Sequence, residues 1–263
     1  MVIDFHTHCF PTAIAARAID KLAFASGGLQ PSTDGTVDGL RARMRTDGVD
    51  VAVVMNIATN AHQQQKVNDF AASINGGDLV AFGSVYPDSE DAFEELERIK
   101  ALGLKGVKLH PDYQHFSADD PKMKPLYRKI SSLGLITLFH AGHDYGCTPP
   151  YGGTPEKLEV ALGWFDSPVV AAHWGGVGCG DEVLARLCGR DNLYFDTSLG
   201  YCMMPKHYAA SILDKHGVDK MLFGTDTPWH AAPMEWRLLD SLSLTAAERE
   251  AIACGNAKKL LGI

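Results

Sequence analysis

The sequence lacks the features that mark several classes of protein. No window approaches the roughly 18 uninterrupted apolar residues that a membrane-spanning helix needs. The formal net charge is −8, which argues against a surface that binds nucleic acid. The N-terminus has no basic start followed by an apolar stretch, because Asp4 and His6 interrupt it at once. We therefore expect a cytoplasmic protein with a small-molecule substrate and no nucleic-acid or membrane partner.

The six cysteines include no CxxC pair, so a disulfide framework is not indicated. Scattered cysteines in a chain of this size are typical of reduced thiols in the cytoplasm. Hydrophobic residues make up 46% of the 263 residues and charged residues 21%. This composition is that of an ordinary globular protein with ample material for a large core.

Short apolar runs recur along the whole chain and predict eight strands. Several runs are apolar on both faces, as expected of parallel strands that are covered on both sides. The predicted strands are Val2–His8, Val49–Ile57, Leu79–Tyr86, Gly106–His110, Leu135–His140, Val169–His173, Leu193–Thr197 and Met221–Thr225.

Segments with helical periodicity separate most of these strands. We expect the helix over Asp88–Leu102 to be capped by Asp88 or Ser89, and Thr245 with Glu248 to form a capping box. Alternating strands and helices imply an α/β protein, most simply a single (β/α)8 barrel domain over residues 1–263. The predicted helices are Val37–Thr46, Ala61–Ile74, Asp88–Leu102, Lys124–Leu133, Asp181–Cys188 and Thr245–Leu261.

The first strand ends in a His-x-His pair. In an extended strand Asp4, His6 and His8 share one side, where two imidazoles can hold a single cation. On its own this pair is equally consistent with an incidental polar strand.

Four later strands also end in groups that can bind metal or transfer protons. Barrel enzymes build their active sites at the C-terminal ends of the strands, so these groups are expected to meet the N-terminal histidines. The groups are Lys108 and His110 after strand four, His140 after strand five, His173 after strand six and Asp226 after strand eight.

Together these blocks resemble the amidohydrolase superfamily, and most closely its amidohydrolase-2 group. That group contains decarboxylases of aromatic and muconate-type acids and hydrolases of cyclic dicarboxylates. The resemblance runs from residue 2 to residue 262 with its blocks in the family's order. The matching blocks are FHTH at 5–8, KGVKLHP at 105–111, LFHAG at 138–142, AHWGG at 172–176, LFGTDTP at 222–228 and NAKKLLG at 256–262.

The resemblance implies that His6, His8, His140 and Asp226 ligate one divalent metal ion. Zn²⁺ is the favoured ion, although the same ligands accept Mn²⁺, Fe²⁺ or Co²⁺. Bound Zn²⁺ lowers the pKa of a water from about 15.7 to near 7. Asp226 would take that water's proton, and His173 would act as an acid/base or polarising residue.

Lys108 and His110 leave two interpretations open. In two-metal members of the superfamily a lysine on strand four is carbamylated and bridges the ions, and Lys108 is placed to do this. The favoured alternative makes Lys108 a buried, charge-paired residue or substrate anchor, with His110 in the pocket. His143, Tyr145, Trp174 and Trp229 follow strand ends and are predicted to contact substrate.

Two further assignments concern polar residues near the histidines. Asp4 is expected to support the metal ligands or to form a salt bridge low in the barrel. Asp196 and Ser198 share a face of strand seven, so one of them could reach the barrel mouth.

The favoured reaction is hydrolysis of a small amide, lactone or ester by metal-activated water. The alternative is non-oxidative decarboxylation of a small unsaturated or aromatic acid on the same ligands. No arginine directly follows any of the five site strands, a weak argument against strongly acidic substrates. A non-catalytic barrel that binds a metal or small ligand is the third interpretation. A homodimer is the default expectation for assembly.

Overall fold

The computed structural model describes all 263 residues and contains all eight predicted strands. Each strand ends one to four residues earlier than predicted. The strands are β1 (Ile3–Thr7), β2 (Val51–Met55), β3 (Leu79–Phe82), β4 (Gly106–Leu109), β5 (Ile136–Phe139), β6 (Val169–Ala171), β7 (Leu193–Asp196) and β8 (Met221–Leu222).

The strands form two parallel sheets, in the orders β1-β2-β3 and β4-β5-β6-β7-β8. A parallel bridge between Gly83 and Val107 joins β3 to β4. At the other seam, Phe5 N donates to Phe223 O at 2.7 Å and a bridge links Thr7 to Thr227. These contacts close the ring of strands, and the predicted (β/α)8 barrel is confirmed.

The helices cover the outer face of the barrel. Five helices were not predicted from the periodicity: those at 12–25, 155–162, 200–203, 206–216 and 232–241. No helix is both long and apolar enough to cross a lipid bilayer. The helices are α1 (Thr12–Ala25), α2 (Val37–Asp47), α3 (Gln64–Ile74), α4 (Ala92–Ala101), α5 (Lys124–Ser132), α6 (Pro155–Leu162), α7 (Gly180–Glu182), α8 (Gly200–Met203), α9 (Lys206–His216), α10 (Ala232–Ser241), α11 (Ala246–Glu250) and α12 (Asn256–Leu261).

The two predicted helix starts had different outcomes. The capping box at α11 is confirmed, since Thr245 accepts from Glu248 N and Glu248 accepts from Thr245 N. The predicted cap of α4 is wrong: this helix begins at Ala92, preceded by Asp91. A π-helical turn at Val183–Leu187 extends α7. A second π-helical turn, at Ala251–Gly255, connects α11 to α12.

A cluster of apolar side chains fills the barrel interior and includes Phe5, Leu138, Val170 and Leu222. Leu261 of α12 belongs to the same cluster, so the C-terminal helix contributes to the interior core. A larger cluster packs the helices against the outer faces of the strands. Because apolar side chains occupy so much of the interior, polar side chains of the strands are accommodated chiefly at the mouth.

A register shift between Asp4 and Thr7 interrupts the pairing of β1 with β2. Such a bulge breaks strict alternation and re-aims side chains. The Asp4 carboxylate accepts from Thr225 Oγ1 at 2.6 Å and from Thr225 N at 3.0 Å. Of His6, it contacts only the backbone N–H, at 3.2 Å. The predicted support of the imidazoles by Asp4 is therefore wrong; Asp4 instead ties β1 to the segment after β8.

Candidate active site

The ends of β1 and β8 are tied together by main-chain hydrogen bonds. Asp226 N donates to His6 O at 2.8 Å, and His8 N donates to Thr227 O at 2.6 Å. Asp226 has a φ of 68°, a left-handed conformation that is uncommon for residues other than glycine. The two strand ends thereby place the Asp226 carboxylate directly beside the His-x-His pair.

His6, His8 and Asp226 form a group in which the ligand atoms lie within 4.8 Å of one another. Asp226 Oδ1 lies 3.3 Å from His6 Nε2 and 3.1 Å from His8 Nε2. Three of the four predicted ligands are thus brought together at the mouth of the barrel.

The second nitrogen of each imidazole has its own partner. His8 Nδ1 lies 2.8 Å from Met55 O and donates to it, because a carbonyl only accepts. His6 Nδ1 likewise donates to Asp196 Oδ2 at 2.9 Å. In their neutral forms both rings therefore direct the Nε2 lone pair at the Asp226 oxygen. A cation among these lone pairs would offset their repulsion, and imidazole and carboxylate ligands suit a divalent metal.

Burial governs the charges at this site. It lowers the pKa of His6 to about 4. The positive charge of Lys108 also lowers this pKa, whereas the Asp196 carboxylate raises it. Burial by itself would raise the pKa of Asp226. The positive charges that His6 and His8 carry when protonated outweigh that effect and hold its pKa below the usual range. Asp226 is consequently ionised at neutral pH, as a metal ligand must be.

Lys108 is the only buried lysine or arginine in the chain. Its Nζ lies 3.2 Å from His6 Nε2, so it faces the group of converging ligands. Burial lowers the pKa of Lys108 to about 8, although the Asp226 and Asp196 carboxylates oppose the change. With this pKa the side chain is still mainly an ammonium at neutral pH, and it supplies a buried positive charge to the site.

His140, the fourth predicted ligand, does not join the group of three. Its Nδ1 lies 3.2 Å from His173 Nε2, and its Nε2 is buried without any hydrogen-bond partner. Burial lowers the pKa of His140 well below the ordinary value, and the neighbouring His110 and His173 add to this effect. A buried, neutral imidazole with an unpartnered nitrogen suits a metal ligand, because an unsatisfied buried acceptor is otherwise costly.

His110 and Asp144 lie next to His140 in a second group of potential ligands. His110 Nδ1 accepts from Tyr113 N at 3.3 Å, so a neutral His110 carries its proton on Nε2 and donates to Asp144 at 3.1 Å. Both nitrogens of His110 are then engaged, and the geometry does not offer it as a ligand for a second ion. Its ring stacks between Tyr113, at 3.9 Å, and His140, at 4.2 Å between centroids.

His173 also has partners for both ring nitrogens. Nδ1 lies 2.8 Å from Ser198 Oγ, and Nε2 faces His140. Burial lowers the pKa of His173, while the Asp226 and Asp196 carboxylates oppose the change. In this arrangement His173 connects other residues of the site and does not present a free nitrogen to a substrate.

The residues predicted to line the substrate pocket have different environments. Trp174 is completely buried and its indole N–H donates to Thr197 O at 3.0 Å, so we leave it out of the pocket. Tyr145 is 59% exposed. His143 is half-buried and stacks on Tyr151, and Trp229 is also half-buried. For His143, Tyr145 and Trp229, contact with a substrate stays a prediction.

Asp144 is the main residue that sequence reasoning missed. It is buried, and its carboxylate accepts from Gly146 N at 2.7 Å and pairs with His110. Burial alone would raise the pKa of Asp144, but the hydrogen bond and charge of His110 hold it below the usual range. The available signal was its position four residues after His140, in the loop that follows β5.

The fold and the site together define a barrel protein whose imidazoles and carboxylates converge at the C-terminal ends of its strands. The sequence profile of the amidohydrolase family matches residues 3–263, and the chain belongs to this family. The family predicted from the sequence blocks is therefore confirmed.

Solved structures with the same fold include hydrolase and decarboxylase relatives. An uncharacterised TIM-barrel protein from Bordetella bronchiseptica is 22% identical, with a TM-score of 0.80 and coverage of 99% of this chain and 98% of that one. A dihydroxybenzoic acid decarboxylase from Polaromonas sp. JS666, with bound manganese and the inhibitor 2-nitroresorcinol, is 17% identical (TM-score 0.71; coverage 99% and 96%). A protein from Pseudomonas putida, provisionally named a 2-pyrone-4,6-dicarboxylic acid hydrolase, is also 17% identical (TM-score 0.69; coverage 99% and 97%).

Proposed function

We propose that this chain is a metal-dependent hydrolase that acts on a small amide, lactone or ester. The observation that carries the proposal is the convergence of His6 Nε2, His8 Nε2 and Asp226 Oδ1 on one point. These three residues would hold one divalent cation. The unpartnered Nε2 of His140 makes that residue the proposed fourth ligand.

When bound, a divalent cation polarises a carbonyl oxygen and lowers the pKa of a water to about 7. The rest of the chemistry falls to side chains. Asp226 Oδ1 faces the two imidazoles, so we assign proton transfer to Oδ2 of the same ionised carboxylate. The Lys108 ammonium, 3.2 Å from His6 Nε2, would stabilise negative charge that develops on the substrate.

The charges at the mouth favour a substrate without a carboxylate. Asp226, Asp196 and Asp144 all have pKa values below the usual range and are ionised. A divalent cation and the Lys108 ammonium together match these three negative charges. No positive charge is then left to bind an acidic group, and the chain contains no buried arginine.

The test is turnover of a panel of small amides, lactones and esters by protein that has been stripped with a chelator and reloaded with Zn²⁺ or Mn²⁺. We expect hydrolysis by the reloaded wild type and a loss of about a thousandfold in Asp226→Asn. The matched control is Asp191→Asn, which changes a fully exposed carboxylate. A wild type that binds no divalent cation, or an Asp226→Asn variant as active as wild type, would refute the proposal.

Decarboxylation of a small unsaturated or aromatic acid is the second candidate. It is favoured by the shared fold with a dihydroxybenzoic acid decarboxylase whose structure contains manganese. The measurement is CO₂ release from hydroxybenzoates and muconate-like acids. Release without hydrolysis of any neutral substrate would replace the first proposal by the second.

Three further properties are also proposed. We favour Zn²⁺ over Mn²⁺ because histidine nitrogens dominate the ligands. We propose a cytoplasmic enzyme whose partner is a small-molecule substrate, on one barrel domain. We propose a homodimer, which light scattering of the purified protein would test.

A further inference from the structure

Asp196 is completely buried at the end of β7, where its carboxylate contacts the His6 side chain of β1 and the backbone N–H of His173, just after β6. We propose that this one carboxylate determines which nitrogen carries the proton in both His6 and His140, so that each presents Nε2 to the cation. Asp196 is then a positioning residue that acts through two separate branches of hydrogen bonds. The inference rests on the proposed metal site, but its central test does not require metal.

The first branch is direct. Asp196 Oδ1 accepts from two backbone N–H groups and from the Ser198 hydroxyl, so the side chain is held as a carboxylate, which accepts hydrogen bonds and donates none. His6 Nδ1 must therefore donate to Oδ2 across 2.9 Å, which leaves the lone pair on Nε2.

The second branch runs through a hydroxyl group and a second imidazole. Ser198 Oγ donates its only hydrogen to Asp196 Oδ1, so it must accept from His173 Nδ1 at 2.8 Å. A neutral His173 then has its lone pair on Nε2, where it accepts from His140 Nδ1 at 3.2 Å. The lone pair of His140 is thereby placed on Nε2, the buried atom that has no partner in the protein.

Ser198 Oγ also lies 3.2 Å from His6 Nδ1, but His6 Nδ1 has its shorter contact, 2.9 Å, with Asp196 Oδ2. Because the two carboxylate oxygens have different partners, the two branches can still be broken separately. Oδ1 accepts from the backbone N–H groups of His173, at 3.0 Å, and Ser198, at 3.1 Å, as well as from the serine hydroxyl. In Asp196→Asn the amide oxygen is held at this position and the NH₂ group faces His6 Nδ1. His6 must then accept there, and its proton moves to Nε2. The branch to His140 is left intact.

The experiment is ¹⁵N NMR of the imidazole nitrogens in metal-free protein, which shows which nitrogen of each histidine carries the proton. In wild type we expect His6 and His140 to carry it on Nδ1. Asp196→Asn should move the proton of His6 alone. Ser198→Ala should release His140 into a mixture of both forms while leaving His6 unchanged, and Ser198→Thr should restore the single form of His140.

Metal affinity provides the second measurement. Loss of a group that orients a ligating histidine typically weakens metal binding by about 10- to 100-fold, and we expect this range for Zn²⁺ binding to Asp196→Asn. Circular dichroism of each variant checks that the barrel is folded. If a variant fails to fold, the wild-type spectrum alone still decides: a proton on Nε2 of His140 or His6 overturns the proposal.

Two other results would also overturn the inference. One is a His6 proton that stays on Nδ1 in Asp196→Asn. The other is a Ser198→Ala variant in which the proton of His6 moves and that of His140 does not. Failure of the proposed function looks different. In that case the predicted proton positions are observed, but wild-type protein binds no divalent cation and turns over no substrate.

Discussion

Lys108 places a buried positive charge next to the atom with which His6 would bind metal. Its Nζ is 3.2 Å from His6 Nε2 and the side chain is buried, so solvent cannot screen the charge effectively. Such a charge weakens binding of a cation but stabilises an anionic transition state. The same residue therefore trades metal affinity against catalysis.

We expect Lys108→Met to bind Zn²⁺ about tenfold more tightly, because a partly compensated repulsion of about 1.4 kcal/mol is removed. Turnover should fall at the same time. Competition with a chromophoric chelator measures the affinity, and Lys105→Met, at an exposed position, is the control. Weaker metal binding by Lys108→Met would instead support the interpretation in which a modified Lys108 is itself a ligand.

At the scale of the elements, β8 approaches β1 and β7 closely at Gly224. A methyl group at this position would lie 3.2 Å from both His6 Cβ and Asp196 Cβ, which is tighter than an ordinary contact. The absence of a side chain lets the strand that leads to Asp226 pack against the strands that hold the imidazole and its carboxylate.

We expect Gly224→Ala to separate these strands, to destabilise the fold by roughly 1–3 kcal/mol and to weaken metal binding. Gly255→Ala is the matched control, because its nearest neighbour would be 3.7 Å away and its backbone is helical. Denaturant unfolding and a metal titration of both variants provide the measurement. Equal behaviour of the two variants would show that the close approach at Gly224 is unimportant.

Glu235 of α10 links the loops that follow β7 and β8. Its carboxylate accepts from Tyr201 N at 3.3 Å and contacts His230 Nδ1. Burial raises the pKa of Glu235 to about 7, although the hydrogen bond and charge of His230 oppose the change. In the unfolded chain the pKa of this side chain is 4.5. Between pH 4.5 and about pH 7, Glu235 is therefore protonated in the folded chain and ionised in the unfolded chain.

The stability contributed by this proton is complete below pH 4.5 and declines as pH rises to about 7, with a slope of at most about 1.4 kcal/mol per pH unit. The glutamine in Glu235→Gln cannot ionise, so the variant lacks this pH dependence. The difference in free energy of unfolding between wild type and the variant should therefore shift against wild type from about pH 5 to about pH 8. Urea unfolding at several pH values measures the difference. A difference that is constant with pH would contradict the assigned pKa.

At the scale of the whole molecule, the barrel and the groups at its strand ends could be predicted because periodicity and strand order determine them. For that reason His6, His8 and Asp226 lie together at the barrel mouth, as predicted. The bulge in β1 could not be predicted, so Asp4 was assigned the wrong partner. Asp144 and the buried position of Trp174 depend on loop backbone, including a φ of 60° at Trp174, which hydrophobic patterns do not encode.

Three of the four proposed ligands lie at the ends of β1 and β8, the two strands that meet at the closing seam of the barrel. A cation bound to His6, His8 and Asp226 would therefore cross-link the seam, in addition to stabilising the folded state by mass action. At a free metal concentration of 100 times Kd, binding to the native state alone contributes about 2.7 kcal/mol.

We expect Zn²⁺ to raise the melting temperature of wild type, EDTA to reverse the rise, and Asp226→Asn to show much less of it. Hydrogen exchange should slow most at the seam amides of Phe5, His8 and Asp226, which donate to backbone oxygens across it. The amide of Ala172, which donates to Phe139 O between β5 and β6, is the internal control. Protection that rises equally at both places would mean that the cation stabilises the barrel as a whole without cross-linking its seam.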